Sequence, residues 1–395
     1  MTQVDAERRS RPALITALKA AGASVEGEGG KVKIWCPFCI DISGSVVVYA
    51  ARDGIVRFKC RRCGAGGDLH ELQERVNREI WGPYWVGGEP SPARPVAVAD
   101  PASELGAQIE DQIAGRFVNI AWPWPWLTGL VQGLTPGSRL GLVGAGGASK
   151  SFAITQSLAV WIERGIKVAV LELERSRSFH LNRILAQRTN IADLTRSDWV
   201  REHPDTVRRL FAEHREFLNH IGESIYTVPN QFTISQGAEW VEQRAAQGFR
   251  IIIIDPTTAL MRQGDPWVED EKFLSRVEQA VRMSGASLIV VTHPKKGGGR
   301  LPDLDNVAGG AAWARSLDSV IWLESHDAKV SRVKTPCGTD ERTHNRTMYL
   351  LKTRSSEGEN MRLAYHFENG KEPGDTGALT LHELGVILRS KKRDD

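Results

Sequence analysis

A run of small residues followed by lysine and serine is the part of the sequence with the most recognisable chemistry. Residues 144–151 read G-A-G-G-A-S-K-S and lie between an apolar stretch, Arg139 to Val143, and a helical segment. Small residues let backbone N–H groups close around phosphates at a helix N-terminus, while the lysine reaches the phosphates and the serine binds Mg²⁺. The pattern predicts a nucleoside triphosphate site. It departs from its usual form at Ser149, which stands where a second glycine is expected.

An acidic residue after a second apolar strand completes this pattern. Asp255 ends the run Arg250 to Asp255, and a carboxylate in this position holds Mg²⁺ in phosphate-loop enzymes. A strand that ends in aspartate is common by itself, but it gains meaning when it follows a phosphate loop. We assign ATP to the following residues, with Ser151 and Asp255 also binding Mg²⁺: Gly144, Ala145, Gly146, Gly147, Ala148, Ser149, Lys150, Ser151 and Asp255.

Two glutamates compete for the role of the base that activates water. Glu172 and Glu174 lie at the end of the predicted strand Lys167 to Leu173. Residues two apart on a strand share a face, so alternation does not separate them. A solvated charge at a strand end is the alternative for either residue.

Four of the five cysteines form two C-x-x-C pairs with metal-ligand spacing. Cys36 and Cys39 are followed after 20 residues by Cys60 and Cys63, while Cys337 stands alone. Two tight turns that each deliver a pair of thiolates suit tetrahedral Zn²⁺. A site closed by four sulfurs leaves no position for water, so the zinc would be structural.

Two basic segments are candidates for contact with nucleic acid. The first interleaves cations with Phe58 near the second cysteine pair, an arrangement that contacts phosphates and stacks bases. The second is a glycine-rich loop. An ordinary solvated strand and an ordinary exposed loop are the alternatives. The candidate DNA-binding residues are Arg57, Lys59, Arg61, Arg62, Lys295, Lys296 and Arg300.

Composition limits the classes of protein to which this chain can belong. Its 395 residues fit two or three domains, and 41% hydrophobic with 25% charged residues excludes a disordered chain. No apolar run approaches the roughly 18 to 20 residues of a membrane span, and the first residues lack a secretory signal. We therefore expect a soluble, cytoplasmic protein with no membrane contact. The net charge of +3 leaves nucleic-acid binding undecided.

The pattern of apolar runs divides the chain into three regions. Residues 1–85 predict a small zinc-ribbon domain with a short antiparallel sheet plus a helix, and the Pro- and Gly-rich residues 86–118 predict a flexible linker. In residues 119–395 apolar strands alternate with helical segments, which is typical of a mostly parallel α/β sheet. The predicted strands of this region are Arg139–Val143, Lys167–Leu173, Arg250–Asp255, Ser287–Thr292, Ser319–Leu323 and Thr347–Lys352.

The cysteine-rich segment resembles the zinc ribbon of bacterial and phage DNA primases. The resemblance covers residues 34 to about 76 and rests on C-P-F-C followed by R-F-K-C-R-R-C-G-A-G-G-D-L, the four-cysteine variant of phage primase-helicases. It implies contact with single-stranded DNA. Because only a linker separates the ribbon from the phosphate loop, no catalytic primase domain fits between them. Primer synthesis by this chain alone is therefore not expected.

Residues 119–365 resemble the RecA-like hexameric ATPases, in particular the DnaB-type replicative helicases and the plasmid RepA-like helicases. The lead-in T-G-L and G-L-T-P-G-S, at residues 128–138, matches the start of such domains. The resemblance implies that Glu174 is the catalytic glutamate and that His293 senses the γ-phosphate. It also implies that Arg354 of the pair Lys352 and Arg354 enters the site of a neighbouring subunit. Two solvated cations at a strand end are the alternative for that pair.

These features together predict an α/β protein with a RecA-like P-loop NTPase core and an N-terminal zinc ribbon. We expect an ATP- and Mg²⁺-dependent DNA helicase-like replication protein of phage or plasmid type that acts on single-stranded DNA. The resemblance implies a homo-oligomeric ring, with a hexamer as the size named, and a separate primase or polymerase as partner. One alternative is a regulatory or loader ATPase resembling RadA. The other is an ATP-binding, non-motor DNA-binding protein in which Ser149 prevents hydrolysis.

Overall fold

A computed structural model describes the protein over most of its length. The described residues are 14–15, 18, 25–26, 33–34, 46–51, 55–60, 66–68, 101–113, 118–228, 231–295, 302–354, 356–369 and 377–388. The chain divides into two compact units, Met1–Pro101 and Ala102–Asp395. Of the four cysteines in the predicted zinc site, Cys60 is described, whereas Cys36, Cys39 and Cys63 lie outside the described residues.

The first unit contains an antiparallel sheet of five strands in the order β1-β2-β3-β4-β5. Its strands are β1 (Val25–Glu26), β2 (Lys33–Ile34), β3 (Val46–Ala50), β4 (Val56–Cys60) and β5 (Gly66–Asp68). Side chains alternate along β3 and β4, so that Val46, Val48, Phe58 and Cys60 are buried. This sheet agrees with the short antiparallel strands predicted for the ribbon.

Nine α-helices follow over the described residues. They are α1 (Pro101–Ile113), α2 (Pro125–Val131), α3 (Lys150–Glu163), α4 (Arg177–Thr189), α5 (Ser197–Glu202), α6 (Pro204–Gly222), α7 (Ile234–Ala246), α8 (Pro266–Ser284) and α9 (Ala311–Ser316). The predicted linker, residues 86–118, therefore includes a helix. Leu105, Ile109 and Ile113 recur every fourth residue in α1, a helical spacing that the proline-rich start of the segment obscures. No described helix has the length and hydropathy to cross a bilayer.

The second unit is built on a sheet of nine strands. They are β6 (Arg139–Val143), β7 (Val168–Glu172), β8 (Ile225–Thr227), β9 (Ile251–Asp255), β10 (Ser287–Thr292), β11 (Ser319–Thr335), β12 (Gly338–Thr353), β13 (Arg362–Phe367) and β14 (Leu381–Ile387). Their order is β12-β13-β14-β11-β6-β10-β9-β7-β8. The run from β11 to β8 is parallel, and all six predicted strands are present.

Apolar side chains cover both faces of the parallel strands. The four isoleucines of β9, Ile251 to Ile254, are fully buried, as expected for a strand packed between two layers of helices. Trp161 lies in the cluster on one face, and Trp313 stacks on Phe273 in the cluster on the other. Each large apolar side chain buried in this way contributes about 1.5 to 3 kcal/mol. The two layers hold the carboxyl ends of the strands along one edge of the sheet.

The last four strands pair in a closed antiparallel cycle, because β11 pairs with both β12 and β14, and β13 lies between those two. The hairpin of β11 and β12 is much longer than the predicted Ser319–Leu323 and Thr347–Lys352. Its pairing is interrupted near the end of β12. Val320 pairs with Lys352 and Ile321 pairs with Leu350, so Leu351 has no opposite residue in β11. Such a bulge turns the following side chains to the other face.

Candidate nucleotide site

The phosphate loop, Gly144–Ser151, connects β6 to α3 at the carboxyl edge of the sheet. A Cβ atom at Gly144 would lie 2.5 Å from the carbonyl oxygen of Leu323, so the loop packs closely there. A Cβ at Gly146 or Gly147 would meet nothing within 4 Å, which leaves space for phosphates on the open side. Helix α3 begins at Lys150 without a side-chain cap. Its first N–H groups are thus suited to bind an anion.

The loop borders a cavity of about 300 Å³. Side chains from the carboxyl ends of β7, β9 and β10, from α4 and from the last strands complete its walls. The residues that line this nucleotide cavity are Gly146, Gly147, Ala148, Ser149, Lys150, Ser151, Phe152, Glu172, Glu174, Arg175, Phe179, Arg183, Asp255, His293, Arg346 and Phe367. The sheet therefore brings together the phosphate loop, both candidate glutamates, Asp255 and His293.

Lys150 is buried at the base of the cavity. Its Nζ donates hydrogen bonds to the carbonyl oxygens of Gly144, at 2.5 Å, and Ala145, at 3.0 Å. Burial lowers the pKa of Lys150 to about 8, while the charges of Asp255 and Glu174 act in the opposite direction. The ammonium group remains largely charged at neutral pH, and the loop's own carbonyl groups solvate it. A charge held in this way suits the binding of phosphate.

The two candidate glutamates occupy different environments. Glu172 is buried, lies 2.7 Å from His180 Nε2 through its Oε2, and accepts the backbone N–H groups of Glu174 and Arg175 at its Oε1. Glu174 is half exposed, lines the cavity and lies 4.0 Å from His293 Nε2. Because β7 ends at Glu172, the alternation of strand faces does not extend to Glu174. The geometry leaves Glu174 accessible to water and engages Glu172 in supporting the turn.

Asp255 is buried at the end of β9, in register with Glu172 on β7. Burial, and after it the charge of Glu172, raise the pKa of Asp255 to about 7, against the opposing effects of His180 and Lys150. Ser151 lines the same cavity and carries a hydroxyl group. A carboxylate and a hydroxyl are oxygen donors of the kind that Mg²⁺ prefers, so these residues fit the ion that the loop pattern implies.

Comparisons with known proteins bear on this site. A family model described as an AAA domain matches residues 109–299. One solved structure, of an ATPase domain, aligns at a TM-score of 0.49 and 14% identity, over 73% of this chain and 100% of that one. The structure of a DnaB-like replicative helicase, described with its interactions with primase, aligns at a TM-score of 0.50 and 11% identity, over 76% of this chain and 69% of that one. The core is RecA-like. None of the curated proteins compared with the sequence matches it.

His293 lies beside the phosphate loop of the RecA-like core, where the sequence predicts a sensor. It directly follows β10, with its Nδ1 3.5 Å from Lys150 Nζ and its Nε2 4.0 Å from Glu174 Oε1. Burial lowers the pKa of His293, and the charge of Lys150 lowers it further. An imidazole whose pKa is lowered thus lies between Lys150 and Glu174, the candidate base.

Lys352 and Arg354 do not line the nucleotide cavity of their own chain. They lie near the start of β11, which runs parallel to β6, whereas the phosphate loop follows the end of β6. Arg354 pairs with Asp318 at 3.2 Å, and both cations donate to the carbonyl oxygen of Arg315 at the end of α9. Within one RecA-like core, the pair therefore caps the end of α9 at the amino-terminal end of the parallel strands. The phosphate loop lies at their carboxyl end.

The basic residues of the first unit are arranged differently from the sequence prediction. Phe58 is buried, so it does not stack between the exposed cations of its strand. Tyr49 on β3 is 43% exposed and lies opposite Arg57, while Lys59 on the same face is exposed. Arg61, Arg62, Lys296 and Arg300 lie outside the described residues, and Lys295 is exposed. Tyr49 is therefore an exposed aromatic side chain on the same face as Arg57 and Lys59, and it is not part of the predicted basic segment because it lies on the adjacent strand.

Asp255 provides a prediction about pH. The pKa of Asp255 is about 7 in the folded protein and 3.8 for an ordinary aspartate. Between these two pH values the carboxyl must take up a proton when the chain folds. The contribution of Asp255 to the free energy of unfolding therefore falls as the pH rises from about 4 to about 7. We expect Asp255→Asn without Mg²⁺ to raise the free energy of unfolding at pH 8, by up to about 4 kcal/mol, and to have little effect at pH 4.5. Thermal unfolding of both proteins at the two pH values measures this. A variant less stable at pH 8 than the parent would contradict it.

Proposed function

We propose that this protein is an ATP-dependent, helicase-like replication ATPase that moves on single-stranded DNA. One observation carries the proposal: Lys150, Asp255, Glu174 and His293 meet at a single cavity at the carboxyl edge of the sheet. The DnaB-like replicative helicase that shares the fold supports the assignment to replication. The RecA-like core supplies the architecture, and the converging side chains supply the chemistry of phosphoryl transfer.

Each residue has a defined part in the proposed reaction. Lys150 and the N–H groups at the start of α3 bind the phosphates, and Ser151 with Asp255 holds Mg²⁺. The bound ion would neutralise phosphate charge. Glu174 accepts the proton of the attacking water as the bond between the β- and γ-phosphates breaks, which yields ADP and phosphate. His293 lies next to both Lys150 and Glu174, so a change at the γ-phosphate reaches it directly.

Two features support movement on DNA within a ring. His293 is followed after one residue by Lys295, the first cation of the predicted DNA-binding loop, and both line a second cavity of about 610 Å³ beside the phosphate loop. This short connection joins the nucleotide site to that loop. Arg354 lies at the opposite edge of the sheet, so it would contribute to catalysis in an adjacent subunit of a homo-oligomeric ring. A hexamer is the expected size, by analogy with the RecA-like hexameric ATPases that the sequence resembles.

The test is DNA-stimulated ATP hydrolysis combined with displacement of one strand from a forked duplex, with Lys150→Ala as the inactive control. We expect single-stranded DNA to stimulate hydrolysis and the parent protein to separate the fork. Stimulated hydrolysis without separation would favour a loader or regulatory ATPase. ATP binding without turnover would favour the non-motor alternative.

We further propose that the first unit binds one structural Zn²⁺ through Cys36, Cys39, Cys60 and Cys63. The spacing of these cysteines and the complete burial of Cys60 at the end of β4 support this. Over the described residues, which omit the other three cysteines, there is no group of three potential ligands.

Removal of this zinc is expected to weaken DNA binding without changing basal hydrolysis of ATP. A metal assay on the purified protein should give one zinc per chain, and Cys60→Ser should lose it. Cys337→Ser is the matched control, because Cys337 is exposed and lies in the other unit. Full zinc content in Cys60→Ser would contradict the assignment.

A further inference from the structure

Arg346 is a buried cation that faces the nucleotide cavity. It lies on β12 and is 7% exposed. Its Nε donates to Ser149 Oγ at 3.0 Å, its Nη1 donates to the carbonyl oxygen of Asn345 at 2.8 Å, and its guanidinium lies 5.1 Å from the centre of the Phe367 ring. In the part of the chain that the structure describes, no carboxylate lies within ion-pair distance of Arg346.

A buried charge without a counter-charge is costly, which indicates that this cation serves a partner from outside the chain. Burial lowers the pKa of Arg346, but an arginine side chain stays protonated in proteins. Its planar guanidinium matches the oxygens of a phosphate group better than a lysine does. Because Arg346 lines the same cavity as Lys150 and Ser151, the anion best suited to it is the phosphate chain of a nucleotide.

The contact with Arg346 gives Ser149 a role. Ser149 adopts a left-handed conformation, with φ of 76°, in which a side chain is disfavoured and glycine is not. Its hydroxyl accepts the hydrogen bond of Arg346, which a glycine at the same position would lack. The residue that departs from the usual loop pattern is thus also the residue that holds the buried arginine.

The strand that carries Arg346 is firmly fixed behind the loop. Asn345 Nδ2 donates to the carbonyl oxygen of Phe367 at 3.1 Å, and Asn345 Oδ1 accepts the backbone N–H of Phe367 at 2.8 Å. His344 is fully buried and lies 2.9 Å from Ser331 Oγ through its Nε2. These contacts hold the arginine at one place relative to the phosphate loop, which is the condition for a cation to bind a ligand without reorganisation.

We propose that Arg346 is a second phosphate-binding cation of the nucleotide site, supplied by the same chain, and that Ser149 is the residue that positions it. The proposal rests on the proposed function, in which the cavity binds MgATP.

The experiment measures the affinity for MgATP by isothermal titration in a set of variants. Arg346→Gln is expected to weaken binding by about 10- to 100-fold, and Arg346→Lys should recover part of the loss. Ser149→Gly is expected to weaken binding by about 3- to 10-fold, although it restores the usual glycine. The double variant should bind no more weakly than Arg346→Gln alone, because Ser149 acts through the arginine.

Arg342→Gln is the matched control. It removes one cation from the same strand, but Arg342 is 52% exposed, pairs with Asp340 and does not line the cavity. Its affinity for MgATP should stay within about twofold of the parent. Thermal unfolding without nucleotide, recorded for every variant, separates loss of binding from loss of folding.

The outcomes distinguish this inference from the proposed function. If the parent protein does not bind MgATP, the proposed function fails. If Lys150→Ala abolishes binding but folded Arg346→Gln binds like the parent, the proposed function stands and the inference is wrong. Binding by Ser149→Gly as tight as that of the parent would overturn the positioning role of Ser149.

Discussion

Replacing Glu174 by glutamine is expected to lower kcat for ATP hydrolysis by about 10²- to 10⁴-fold, with the affinity for MgATP nearly unchanged. Glu174 lines the nucleotide cavity and is half exposed, so an attacking water can reach it. Glutamine keeps the shape of the side chain but does not accept a proton. The measurement is steady-state hydrolysis together with equilibrium binding of MgATP.

Glu172→Gln is the matched control for this prediction. Glu172 is buried beside His180 and supports the turn that carries Glu174. A glutamine oxygen still accepts the two backbone N–H groups but loses the charge that faces His180. We therefore expect lower thermal stability and a loss of kcat well below that of Glu174→Gln. If Glu172→Gln abolishes hydrolysis while Glu174→Gln retains it, the two assignments are reversed.

Replacing Arg354 by alanine is expected to lower kcat by about 10³-fold or more while each subunit still folds and binds nucleotide. The ion pair of Arg354 with Asp318 is half exposed, and such pairs contribute at most about 1 kcal/mol to stability. A large kinetic loss would thus come from a missing charge in the site of an adjacent subunit. Hydrolysis is measured at high protein concentration, where the proposed ring would assemble.

Mixing two inactive variants makes this prediction specific. Arg354→Ala keeps its own phosphate loop, and Lys150→Ala keeps Arg354, so a mixed ring contains some complete sites. We expect the mixture to hydrolyse ATP faster than either variant alone. Full activity of Arg354→Ala by itself would rule out a shared site, and no gain on mixing would argue against exchange of the arginine between subunits.

The sequence predicts the parts of the fold that local pattern determines. Strands β6 and β10 have the predicted bounds, because each has a short apolar centre and a polar residue at one or both ends. Strand β8 is missed, since it has three residues within a helical, charged region. The long hairpin is underestimated because its outer halves are exposed and polar, and their pairing partners lie on the opposite strand of the hairpin.

The residues of the candidate nucleotide site also differ in how far the sequence predicts them. Lys150 and Ser151 belong to a contiguous pattern, so their place at a helix N-terminus follows from sequence alone. The difference between Glu172 and Glu174 depends on where β7 ends, which an alternating pattern does not define. Arg346 contacts a residue 197 positions earlier in the chain, and nothing in its neighbouring sequence indicates this contact.

The bulge at Leu351 has a consequence for how strand β12 is used. Arg346 precedes the bulge and faces the strand's own phosphate loop, whereas Lys352 follows the bulge and reaches α9. In an uninterrupted strand, residues 346 and 352 would share a face, because six positions is an even number. The unpaired Leu351 therefore places the two cations on opposite faces of β12. Arg346, before the bulge, contacts the phosphate loop, and Lys352, after it, contacts α9. Deleting one residue between Arg346 and Lys352, or restoring regular pairing at Leu351, would thus change the face of the sheet on which one of these cations lies.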